Sequence, residues 1–147
     1  MGREADVSEE ADFAVVAADD VDDVYAGSDV PGEFRSLTAA LGAKQLAATL
    51  IRIPPHSDFE QGTGHTHDQI EELYLVGRGT LMMRFGEEIR EVSAGSLVRV
   101  APHTPRSHRN EGDETVELWA FSAQAEGDGG NKIDGFWEAS PAARQRR

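Results

Sequence analysis

The chain has no cysteine. No disulfide can brace its fold, and any metal it holds must be bound through nitrogen and oxygen. Lysine is almost missing: Lys44 and Lys132 are the two present, and the other basic residues are arginines. Acids outnumber bases 27 to 14, for a formal net charge of -13. Phosphate binding needs a basic face that such a chain cannot easily assemble, which argues against nucleic acid as a partner. The acidity serves solubility and fits either a high-salt habitat or a biased base composition. No apolar run approaches the roughly 18 residues that a membrane span needs. The polar, acidic start "MGREADVSEEADF" lacks the apolar core of a secretion signal. A cytoplasmic setting is the expectation.

What is present reads as one all-β domain. A chain of 147 residues suits a single core, and at this size roughly 70% of the unfolded surface is buried. Residues 1–12 form an acidic leader whose composition predicts disorder. From residue 13 to 123, short apolar stretches alternate with turn chemistry: "FAVVA", "AKQLAATLIRI", "ELYLV", "TLMMRF", "EIREV", "SLVRVA" and "TVELWAFS". Leu46, Thr49, Ile51 and Ile53 predict a half-buried strand stopped by Pro54 and Pro55. Gly77, Gly79, Gly86, Gly95 and Gly112 punctuate the series, as in an antiparallel sandwich or barrel. Residues 124–147 lose the pattern and read as a flexible link followed by a tail that packs on the barrel or is disordered. In that tail Phe136 and Trp137 are expected to fold back as an anchor. Trp119 and Phe121 flank Ala120 and are expected on one face, in the core or at a dimer interface.

The histidines are grouped. His65 and His67 lie in "HTHDQIEEL", His103 and His108 in "APHTPRSHRN", and the fifth, His56, sits just ahead of the first group, where exposure is expected. With Thr66 between them, His65 and His67 project from the same face of a strand. Glu72 follows at the head of "ELYLV". Two imidazoles and a carboxylate on one face suit a divalent metal with open positions for water or substrate. The same residues also fit a polar strand end with no ligand.

The stretch "HTHDQIEELYLVGRG", His65 to Gly79, resembles the first motif of the cupin superfamily: two histidines one apart, a glutamate after three or four residues, then six residues and a glycine. "GSLVRVAPHTPRSHRNEGDE", Gly95 to Glu114, resembles the second. The resemblance spans about Ala43 to Ser122. It implies a small single-domain conserved-barrel cupin, a double-stranded β-helix of jelly-roll type that is usually dimeric. It also implies a divalent metal cofactor (Zn, Mn, Fe or Ni) held by His65, His67 and Glu72. The motif places Arg106 where the fourth ligand, a histidine, stands in the family. Gly77 also replaces an apolar residue often found there. A guanidinium is always charged and cannot ligate a metal. His108, two residues on and on the same face, is the expected fourth ligand, with His103 in the turn as its substitute.

Two functional readings follow. In the first the metal is bound, Tyr74 lines the substrate cavity, and Arg106 lines its open side and grips an anionic group of a small-molecule substrate. The chain is then an enzyme of dioxygenase, decarboxylase or isomerase type, with no general base evident beyond the ligand set. In the second the metal is gone, and Glu72 pairs with Arg106 in a small-molecule-binding or purely structural barrel. Both readings carry a homodimer, from the resemblance and from the apolar excess of "TVELWAFS".

Overall fold

A computed structural model describes residues 11–138. The chain runs β1 (Glu33–Ser36), α1 (Thr38–Leu41), β2 (Leu46–Ile53), β3 (Gly64–Thr66), β4 (Glu72–Arg78), β5 (Thr80–Phe85), β6 (Glu88–Ser93), β7 (Leu97–Val100), β8 (Arg106–Arg109), β9 (Val116–Ala123) and β10 (Asn131–Ile133). These strands form two five-stranded sheets, in the orders β1-β2-β9-β4-β7 and β10-β3-β8-β5-β6. Every strand pairing is antiparallel. The fold is the antiparallel all-β architecture expected from the alternation, and the jelly roll that the resemblance implies.

The alternation decides which side chains face inward. Ile51, Ile53, Tyr74, Val76, Leu81, Met83, Val92, Val100, Val116, Leu118 and Ala120 form one buried cluster. Met82, one residue out of phase with Met83, points the other way and packs under the tail. Trp119 and Phe121 share a face as expected, but it is the outer face of the first sheet, opposite Leu75 and Leu73 in the β4–β9 ladder. Gly77 stands beneath the Trp119 indole, where an added Cβ would lie 2.9 Å from Nε1. The glycine that departs from the motif is the space the indole needs.

The strand series opens later than the sequence suggests. "FAVVA" forms no strand, and Phe13 and Val15 are 80% and 87% exposed. The acidic run after it makes polar contacts instead. Asp23 Oδ1 accepts from the N–H groups of Tyr25 and Phe34 at 3.0 and 2.9 Å. Asp19 pairs with Arg52 at 2.6 Å, and Arg35 donates to the Val21 carbonyl. The acids therefore strap residues 19–25 along the β1 edge.

Where a flexible link is expected after Gln124, the chain forms β10, which pairs with β3 so that Lys132 stands opposite His65. Phe136 and Trp137 then bury against the outer face of the second sheet with Met82, Ile89 and Ile133. Trp137 Nε1 donates to Ser107 Oγ at 3.0 Å. The Arg109 guanidinium lies 4.4 Å from the Trp137 ring centre, and that of Arg84 lies 3.9 Å from Phe136, both favourable cation–π placements. The anchoring aromatics are where the sequence puts them. Apart from its last two residues, the leader expected over 1–12 lies outside the described residues, as does 139–147. His56 is exposed, as expected, and pairs with Asp113 at 2.6 Å.

Trp137 is fully buried, so Trp137→Ala should cost about 3–5 kcal/mol of unfolding free energy. Trp137→Phe, which keeps most of the packing and loses the hydrogen bond to Ser107, should cost about 1 kcal/mol. Urea denaturation of the two variants beside wild type measures both.

A candidate metal centre and its cavity

The short strand β3 carries His65 to its site, and His67 follows directly on the turn into β4. That turn is held from outside. Asp128 accepts from the N–H groups of Asp68, Gln69 and Ile70 at 3.1, 2.8 and 3.1 Å. Burial works to raise the Asp128 carboxyl, but these three donors and the nearby His67 hold it down at about 2. The His103 N–H donates to the His67 carbonyl at 2.6 Å, fixing the turn from the other side.

Each histidine ring is oriented through Nδ1. For His65 the partner is Glu60 Oε2 at 2.8 Å; for His67 it is the Asp128 carbonyl at 3.2 Å. Carboxylates and carbonyls only accept, so each Nδ1 carries a proton, and in the neutral ring the lone pair is then on Nε2. That is the tautomer a metal requires, with the outer partners that metal-bound histidines have. His67 Nε2 stands 3.8 Å from Glu72 Oε1, and one donor atom from each of His65, His67 and Glu72 lies within 4.8 Å of the others. This donor set fits a divalent ion. Gly130 (φ 109°) runs across the rings, where an added Cβ would lie 3.3 Å from His67 Cε1 and 3.7 Å from His65 Cδ2.

Glu72 is shared. Its Oε1 accepts from Tyr74 Oη at 2.6 Å and from Arg106 Nη2 at 2.8 Å. Burial, and then the Glu72 charge, raise the Tyr74 phenol well above its ordinary value, so it stays protonated and donates. Arg106 is fully buried. Burial works to lower its pKa, but Tyr74 and Glu72 outweigh it and the guanidinium stays charged. Its Nη1 donates to the Thr104 carbonyl at 2.9 Å.

The structure therefore brings His65, His67, Glu72, Tyr74 and Arg106 together, with Arg106 behind Glu72 and not among the residues lining the cavity. His108 lies inside the barrel and lines the cavity, but it stands apart from the three-residue group. Its Nε2 is 3.7 Å from Glu60 Oε1, and its Nδ1 has no hydrogen-bond partner among the described residues. Burial lowers the His108 pKa against the pull of Glu60, leaving the ring neutral. His103 is on the outside of the turn, its side chain 74% exposed and 3.8 Å from Asp68.

Glu60 and Asp128 escape a reading of the sequence. Glu60 faces His65, His108 and Ser107 Oγ, the last at 2.9 Å. Burial pushes its carboxyl up, but the hydrogen bond from His65, the electrostatic pull of the His108 and His65 imidazoles and the Ser107 hydroxyl more than offset this, and its pKa falls below the ordinary 4.5. The one signal in "SDFEQG" is turn chemistry: Asp58 accepts from the N–H groups of Glu60, Gln61 and Gly62 and so fixes the loop that aims Glu60.

A cavity of about 480 Å³ opens between the sheets onto these residues. Its other wall is aromatic: Tyr25, Phe34 and Phe59.

The model of the family described as "Cupin domain" matches residues 49–122, half of the 147 residues. The chain belongs to the cupin family. No curated protein matches this cupin in sequence. Solved structures share its fold at low identity. A cupin protein from Bacteroides fragilis is 18% identical with a TM-score of 0.63, over 83% of this chain and 92% of that one. The polyketide cyclase RemF from Streptomyces resistomycificus is 16% identical with a TM-score of 0.65, over 91% and 93%. A putative sugar phosphate isomerase from Acidithiobacillus ferrooxidans is 18% identical with a TM-score of 0.56, over 86% and 76%. At such identities the likeness is one of fold alone.

Glu60→Gln tests the buried carboxylate. A carboxyl whose pKa falls on folding stabilises the native state above its unfolded value, and that stability is lost as pH drops through the lower folded value. The variant should be less stable than wild type at pH 7, and the part of the gap due to the charge should shrink as pH falls below about 4.5. Denaturation midpoints of the pair from pH 7 to 3.5 measure it.

Proposed function

We propose that this cupin binds a divalent metal through His65, His67 and Glu72 and uses it to hold and polarise an oxygen function of a small molecule in the adjoining cavity. The observation that carries the reading is the pair of Nδ1 contacts, His65 to Glu60 and His67 to the Asp128 carbonyl, which in neutral rings leave Nε2 as the ligating atom of each, that of His67 3.8 Å from Glu72 Oε1. A bound metal would supply a Lewis acid with open positions. The chain's own residues do the rest: Glu60 and Asp128 orient the rings, while Tyr74 and Arg106 fix the Glu72 carboxylate. The structural neighbours named as a polyketide cyclase and a putative sugar phosphate isomerase are in keeping with small-molecule work. Isomerase, decarboxylase and dioxygenase chemistry all remain within reach of such a site. A cytoplasmic setting belongs to the same proposal; no helix among the described residues is long and apolar enough to cross a membrane.

One observation favours the metal-free reading. The Glu72–Arg106 pair at 2.8 Å already neutralises the carboxylate, and a guanidinium within about 4 Å of a divalent ion costs several kcal/mol at an effective dielectric near 20. Titration with zinc and manganese separates the two. Wild type should bind, His65→Ala/His67→Ala should not, and Arg106→His should bind on the order of tenfold more tightly by restoring a fourth ligand. Arg106→Leu removes the charge without adding a donor and controls for electrostatics. Wild type that takes up neither metal returns the site to the Glu72–Arg106 pair alone.

A second copy of the chain is the proposed partner. The outer face of the first sheet presents Leu73 at 40%, Leu97 at 64% and Leu46 at 67% exposure beside Trp119 and Phe121, an apolar surface of the kind that pairing covers. Light scattering should give about twice the 16.0 kDa chain mass, and Leu97→Glu should return the monomer.

A further inference from the structure

We infer that the small molecule is a planar aromatic compound bearing a hydroxyl group, and not a phosphorylated sugar. This deepens the metal-site reading and rests on it only for the contact to the metal; the aromatic wall stands by itself.

The wall is built from distant parts of the chain. Phe34 on β1 and Phe59 in the loop before β3 lie nearly parallel, 12° between planes and 6.3 Å between centres. Phe59 and His108 continue the series at 22° and 6.4 Å. Tyr25, delivered by the N-terminal strap, sets its edge against Phe34 and Phe59 at 6.0 and 5.7 Å. Rings of common orientation lining a cavity of about 480 Å³ suit a flat ring system, since aromatic contacts add to the area they bury.

Charge points the same way. Among the described residues, Glu60 and Glu72 are the acids lining the cavity, and Lys132 is the one lysine or arginine there. The Lys132 side chain is 70% exposed and 3.5 Å from Asp134. Arg106, the residue fit to clamp a phosphate, is spent on Glu72 and Thr104 behind the wall. Among the described lining residues a dianionic phosphate would thus meet two carboxylates, one exposed ammonium and no free guanidinium.

His108 supplies the polar mark. It lines the cavity, is 3% exposed, and its Nδ1 lacks a partner. The Glu60 carboxylate near Nε2 favours the proton on that side, which leaves Nδ1 an acceptor for a ligand hydroxyl. A buried acceptor with no donor among the described residues is a rarity, and a small turn of the ring would bring it to a ligand hydroxyl in the cavity.

The test is calorimetric binding of 2-naphthol, 2-methoxynaphthalene, 2,3-dihydroxynaphthalene and fructose 6-phosphate to zinc-loaded and chelator-stripped protein. The inference expects 2-naphthol to bind with or without zinc, several-fold more tightly than its methyl ether. It expects Phe59→Leu, which keeps apolar volume, to weaken 2-naphthol about fivefold. His108→Leu should remove the preference for 2-naphthol over the ether. Melting temperatures show that both variants are folded. The vicinal diol should gain about tenfold or more on zinc loading. If the diol gains nothing while 2-naphthol still depends on Phe59 and His108, the metal reading falls and the aromatic one stands. If zinc binds but no naphthalene does, if Phe59→Leu leaves 2-naphthol unchanged, or if fructose 6-phosphate binds more tightly than the naphthols, the aromatic inference is overturned.

Discussion

Arg106 is buried to zero exposure, and a guanidinium there needs a carboxylate at hydrogen-bond distance or the barrel bears the cost of an uncompensated charge. Glu72 meets that need at 2.8 Å, and the rest of the site is arranged around it. Because Arg106 and Tyr74 both engage Oε1, the carboxylate is held in one orientation at the head of β4. Because Arg106 stands opposite His65 in the β3–β8 ladder, the same residue that claims Glu72 sets where the first histidine enters. Arg106 thus organises the centre without lining its cavity.

The two ends of the described chain complete what the barrel begins. The N-terminal strap brings Tyr25 to the aromatic wall, tied by Asp23 and Asp19. The C-terminal segment brings Asp128 to the turn after β3, Gly130 across the imidazoles, and β10 alongside His65. Neither end contributes a ligand to the group. Each fixes a residue that does, or a wall beside it.

The sequence made the barrel legible through its strand alternation, and the candidate centre through His65, His67 and Glu72, which the fold brings together from β3, the residue after it and the head of β4 in the facing sheet. Arg106 was legible as a departure, although its contact with Glu72 was only one of two alternatives. Other features were hidden for definite reasons. "DDVDD" and "EGDGGN" look like solvated loops because single acids in polar surroundings carry no periodicity, and the partners of Asp19, Asp23 and Asp128 lie on distant or separate segments. Glu60 sits in a turn whose chemistry reveals that it bends, not where it points. The aromatic wall joins Tyr25, Phe34 and Phe59, which no local pattern links. His108 shares a face with Arg106 as the strand period requires, but the lateral placement that turns it to Glu60 depends on the loop carrying Glu60.

The hydrogen bond from His67 to the Asp128 carbonyl joins residues 61 apart. In order of synthesis, β1 to β9 all precede the segment that makes it. A growing chain therefore passes through a stage in which the barrel strands have been made while the histidine rings still lack their cover and His67 its outer partner. Once β10 has paired with β3 and Trp137 has seated, the rings of His65 and His67 lie under Gly130 along the cavity. The covering of the imidazoles thus falls to the last-made part of the described chain.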